Sequence, residues 1–138
     1  MSQRYTPSQL ALLIPNADTD GLYPAIADPA LSGLEMNTLL LVADFSALAA
    51  TLTLQPWVNV RSKDSADATI DNWLPLAQVT IVSEAVTANP PALPTANPYR
   101  APALEVALPN CHEVRVEQIS LSAGTVNLWG ATANRAPR

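Results

Sequence analysis

An all-β fold, an antiparallel β-sandwich or small barrel, is what this sequence predicts, and three observations predict it. From Thr51 to Val60 the chain alternates strictly: Leu52, Leu54, Pro56, Val58 and Val60 share one parity, while Thr51, Thr53, Gln55, Trp57 and Asn59 share the other. That period of two belongs to a strand with one buried face. Similar short apolar runs recur along the chain between turn-forming residues, without the strand–helix alternation of a parallel α/β protein. Thirteen prolines among 138 residues also oppose long helices, because proline fixes φ and lacks an N–H donor.

Residues 1–34 contain Pro7, Pro15, Pro24 and Pro29 with Gly21 and Gly33, and read as a largely irregular N-terminal arm lying along other surfaces. One short helix is expected within it. Thr6 stands as N-cap, Pro7 in the first turn and Gln9 at the capping-box position; Leu10, Leu13 and Ile14 share a face, and Pro15 ends the element. Asp28, Pro29 and Leu31 allow a second turn stopping near Gly33.

Residues 35–138 read as the β-sandwich domain. The apolar run Leu39–Ala43 suits a strand covered on both faces. In the alternating strand that follows, Pro56 cannot donate to a ladder, which implies an edge position or a bulge. The polar stretch from Arg61 to Asn72 reads as a loop. Leu74 to Val86 then forms another strand with Ala77, Val79 and Ile81 on one face. Five prolines fall between Asn89 and Pro102, so residues 88–102 are expected to be an extended, polyproline-like insertion. Leu104, Val106 and Leu108 alternate again, and Pro109-Asn110 makes a turn. Val114 and Val116 then fall out of phase with Ile119 and Leu121, a slip that predicts a β-bulge near Glu117 or Gln118. Ser122-Ala123-Gly124 is read as the turn of a hairpin whose last strand is Thr125–Trp129. The count comes to about six strands.

Charge bears on partners. Only 14% of residues are charged against 49% hydrophobic, where about 25% charged is usual, so part of the surface is expected to be covered by other subunits. The net charge is −5, with seven scattered Lys and Arg. Nucleic-acid binding needs clustered cations that neutralise phosphates, and an anionic membrane surface needs the same, so neither is expected as a partner. The run Leu10–Ile14 is too brief for a signal-peptide core, and no apolar stretch approaches the roughly 20 residues of a spanning helix. A single cysteine, Cys111, rules out an intrachain disulfide and agrees with assembly in a reducing cytoplasm.

No catalytic, cofactor or metal site is expected. Cys111, His112 and Glu113 adjoin, but neighbours on a strand point to opposite faces, so a thiol and an imidazole at adjacent positions diverge. One Cys and one His are too few for a structural zinc site. Asp18-Thr19-Asp20-Gly21 begins like a calcium loop, yet position 12 of that pattern would be Pro29 where a glutamate is needed; a turn held by Asp side chains accounts for it, and whether Asp18 and Asp20 bind an ion is left open. Asp64, Asp67 and Asp71 with Lys63 make a solvated hairpin tip. Glu113, Arg115 and Glu117 share one strand face, read as solvated and cross-paired. Trp57 and Trp129 sit on the polar parity of their strands, either as partial cover or as interface anchors. The expected partner-contact residues are Trp57, Trp129, Pro91, Pro94, Tyr99, Tyr5 and Tyr23.

The segments NTLLLVADFSALAATLTLQPWVNV, NWLPLAQV and HEVRVEQISLSAGTVNLWGATA, taken in order, resemble small bacteriophage virion β-sandwich proteins of the capsid decoration (cement) kind. The resemblance covers roughly residues 36–133, and its motifs are alternating strand patterns. It implies a sandwich on the surface of a phage head, commonly a homotrimer, bound to the major capsid protein and made in the bacterial cytoplasm. It carries over no catalytic residue and no cofactor. A tail, baseplate or head–tail connector subunit is the alternative within the same class. A carbohydrate-binding sandwich, with Trp57 or Trp129 stacking on sugar, is the alternative outside it.

Overall fold

The computed structural model describes residues 6–7, 9–84, 97 and 99–135. Tyr5, Pro91, Pro94 and most of the proline-rich insertion expected at 88–102 lie outside the described residues. The fold is all-β: among the described residues there is no helix, and two six-stranded antiparallel sheets pack against each other.

Four long strands form the frame. In the first sheet β5 (Thr38–Phe45) pairs with β14 (Val126–Asn134). In the second, β6 (Thr51–Asn59) pairs with β13 (Glu113–Leu121). Leu39, Leu41, Ala43 and Phe45 of β5 and Val126 and Leu128 of β14 face Leu52, Leu54, Val58, Val114 and Val116 of the other sheet in one core, all at most 1% exposed. This is the inward half of each alternation, as the period of two requires.

The edges are composite, each built from two short strands on one side of a long one. β1 (Thr6–Pro7) and β2 (Ala11–Ala17) both pair with β14. β3 (Gly21–Tyr23) and β4 (Leu31–Ser32) both pair with β13. A small hairpin, β7 (Ser62–Lys63) with β8 (Thr69–Ile70), projects after β6; Asp64 Oδ1 accepts from the Ala66 and Ala68 amides at its tip. β9 (Trp73–Pro75) and β10 (Val79–Val82) share the free side of β6. β11 (Tyr99–Arg100) and β12 (Leu104–Ala107) share that of β5.

Four readings of the sequence need correction. The helix expected before Pro15 is strand β2, because β14 offers an unpaired edge and so short a segment cannot nucleate a helix unaided. Its register shifts between Leu12 and Ile14, so Leu13 and Ile14 both turn inward, 6% and 0% exposed. Pro56 lies on a central strand, not an edge. Its carbonyl accepts from the Leu76 amide at 2.9 Å, so its nitrogen faces the gap between β9 and β10, where no ladder bond is due. The single strand expected from Leu74 to Val86 is broken at that same gap. Finally, Ser122–Thr125 does not close a hairpin: β13 and β14 belong to different sheets, and the segment is an arch between them. The bulge expected near Gln118 is present, with the register shifting between Gln118 and Ser120.

A second arch, residues 46–50, joins β5 to β6, and the two arches bond to each other. Thr125 N donates to Ser46 Oγ (2.8 Å) and Ser46 N to Thr125 O (3.0 Å); Thr51 N donates to Ser122 Oγ (2.8 Å). Gly124 adopts φ +67, and a Cβ there would strike Ser46 Oγ and lie 3.1 Å from Ala47 Cβ. Gly124→Ala is therefore expected to lower unfolding free energy by about 1–3 kcal/mol, read as a shifted urea midpoint with unchanged slope.

Candidate interaction surfaces

Because the inner half of each alternation fills the core, the outer half decides what each sheet shows to its surroundings. On the first sheet, Leu12, Trp129 and Val42 stand in one cross-strand row, with Leu40 and Ala131 in the next. Leu12 is 50% exposed, and Trp129, Val42 and Leu40 are half-buried. Charge appears only at the border of this apolar patch. On one side Arg100 Nε reaches Asp44 Oδ1 at 2.6 Å, with Asp44 fully buried. On the other, Arg135 pairs with Glu105, whose register partner is Leu40.

The second sheet's outer face is organised by Arg115. Expected to be solvated, it is 7% exposed, because the loop after β3 folds over it. Arg115 Nη1 donates to the carbonyls of Pro24 (2.8 Å) and Ala25 (2.6 Å), and Nη2 to that of Asp28 (2.9 Å). Its guanidinium lies 5.6 Å from the Trp73 ring centroid, within cation–π range. Glu117 also differs from a free solvated carboxylate: its Oε1 accepts from Trp57 Nε1 at 2.9 Å. Glu113 accepts from Asn59 Nδ2 at 3.1 Å.

These groups border a groove of about 380 Å³ lined by Leu22, Ile26, Trp57, Trp73 and Glu117. Leu22 is the register partner of Glu117 on β3. Ile26 stands on the Arg115-held loop, 73% exposed. Trp73 comes from β9 on the other side of the sheet. Beside the groove, Asp71 takes hydrogen bonds from Asn59 Nδ2 and Arg61 Nε; the bond from Asn59, and next that from Arg61, hold its carboxyl below the usual range.

Among the described residues, the sequence-derived contact residues are not gathered in one place; Tyr5, Pro91 and Pro94 lie outside that set. Trp57 and Trp129 lie on opposite outer faces of the sandwich. Tyr23 and Tyr99 pack against the core as half-buried side chains; the Tyr23 hydroxyl donates to Thr19 O at 2.7 Å. Sequence reasoning missed Trp73, Leu22 and Ile26, since β9 and β3 have three residues each and leave little periodicity. It also missed the Asp44–Arg100 pair, whose members are far apart in the chain. Among the described residues no three His, Cys, Asp or Glu side chains converge as metal ligands, and Asp20 Oδ1 stands 3.5 Å from Gln118 Nε2. No helix among the described residues is long and apolar enough to cross a membrane.

Arg115→Met keeps the aliphatic stem but removes the bonds to three carbonyls. It is expected to cost about 1–3 kcal/mol and to accelerate hydrogen exchange at the Asp28 amide, which donates to Ala25 O. Burial pushes the Cys111 thiol above its ordinary pKa, so its thiolate fraction at pH 8 is lower than that of a free thiol. Iodoacetamide should then alkylate it more slowly than an unstructured cysteine peptide at that pH, and equally fast once urea has unfolded the chain.

No protein family, no curated protein and no solved structure matches this chain.

Proposed function

We propose that this chain is a structural protein acting through contact with other protein subunits, and specifically a capsid decoration protein that binds and stabilises an assembled phage head. The observation that carries the contact reading is the apolar row Leu12–Trp129–Val42 with Leu40 beside it, rimmed by the Asp44–Arg100 and Glu105–Arg135 pairs. An apolar centre with a polar border is the usual anatomy of a protein interface, and large aromatics in such centres often dominate association. The low charge density points the same way. The assignment to a phage head rests on the resemblance of the strand segments. Homotrimerisation and attachment to the major capsid protein belong to the same proposal, as does location on the virion surface. On a lattice, modest contacts per copy multiply with copy number.

Quantitative mass spectrometry of purified particles tests this reading. A copy number comparable to the major shell protein is expected. A ratio lower by one or two orders of magnitude would move the protein to a tail or connector ring, and absence from particles would sink the virion assignment. Within the contact reading, Trp129→Asp should lower the thermal midpoint modestly, as a half-buried strand residue is replaced by a strand-disfavoured one, and reduce co-sedimentation of the folded chain with particles roughly tenfold or more. Undiminished co-sedimentation would remove this face from the interface.

A further inference from the structure

We infer that the groove on the second sheet is a receptor for a cationic side chain, a lysine or arginine presented by a partner protein. Three features of the groove point to that chemistry. Glu117 places a carboxylate among Leu22, Ile26, Trp57 and Trp73. Its bond from Trp57 Nε1 engages Oε1, and no basic side chain among the described residues forms an ion pair with it. The Nη1 and Nη2 groups of the nearby Arg115 guanidinium are committed to the carbonyls of residues 24, 25 and 28, while its buried Nε has no hydrogen-bond partner among the described residues.

The rest of the groove suits the remainder of such a side chain. Indole faces attract cations through their quadrupole, and Arg115 already uses Trp73 in that manner at 5.6 Å. Leu22 and Ile26 offer apolar surface for the aliphatic stem, which long cationic residues lay along such surfaces while the charge finds a polar group. The Trp57–Glu117 bond holds acceptor and ring together, so both are positioned before a ligand arrives. A sugar fits less well, because its hydroxyls need several directional partners and Glu117 is the one charged group in the lining. A chain of net charge −5 also draws a cationic partner over longer distances.

This inference relies on the contact reading only in naming a protein as the source of the cation, and its test needs no particle. The probes are Nα-acetyl-arginine amide and Nα-acetyl-lysine amide, with Nα-acetyl-norleucine amide as the uncharged control, followed through the Trp57 indole N–H resonance of the full chain. Saturable shifts are expected for both cations, with dissociation constants on the order of millimolar, and roughly tenfold weaker binding of norleucine. Glu117→Gln keeps an oxygen acceptor for Trp57 and removes the charge, so it should weaken the cations roughly tenfold without altering the norleucine response. Equal binding of all three probes would overturn the inference in favour of a plain apolar slot. Cation binding undiminished in Glu117→Gln would overturn it too, as would saturable shifts with glucose, galactose or N-acetylglucosamine and none with the cations. Should particle attachment fail while the cations bind as expected, the virion assignment falls and the groove stands.

Discussion

Two long antiparallel pairs held face to face set the position of everything else. β5 with β14 and β6 with β13 contribute most of the fully buried side chains, and each pair is internally bonded along eight register positions. Each strand of one pair runs into a strand of the other through an arch, and the arches bond to one another through Ser46, Thr51, Ser122 and Thr125. The sheets are thereby locked at one end covalently and by hydrogen bonds. Burying the inward half of each alternation supplies the stabilisation, at roughly 25 cal/mol per Å² of apolar surface removed from water.

The composite edges follow from that frame. Each long strand has one side already paired, and short segments fill the other side two at a time. A split edge tolerates residues that a continuous strand would reject. Pro56 is the clearest case, with its ring facing the break between β9 and β10 while Gln55 Nε2 and the Leu76 amide bond to the carbonyls there. Short, interrupted edge strands also offer little template for pairing with another chain's backbone.

The two outer faces differ in kind. The first is apolar with ion pairs at its rim. The second is a mosaic in which one buried arginine holds a loop, one carboxylate is held by an indole, and apolar side chains close around them. Arg115 links fold to surface here: its three carbonyl acceptors fix residues 24–28, and the same loop carries the Ile26 wall of the groove. A core-like constraint on an outward-facing residue thus shapes the surface that a partner would meet.

Much of this was legible in the chain itself. Strict alternation at Thr51–Val60 identified β6 and its inner face, because a pleated strand repeats every two residues whatever surrounds it. The slip between Val116 and Leu121 announced the bulge, since an inward residue on each side of an odd spacing demands one extra residue. Local sequence could not say which strands would pair. Ser122–Gly124 looks the same whether it turns a strand back within its sheet or carries it to the opposite one. Nor could it show that Ala11–Ile14 would become strand, because the deciding factor is the open edge of β14, more than a hundred residues away. The same holds for the surfaces: Trp57 was visible as an outward residue, but its setting among Trp73, Ile26 and Glu117 depends on segments brought together from four parts of the chain. Periodicity is a property of neighbours in sequence, and a groove is a property of neighbours in space.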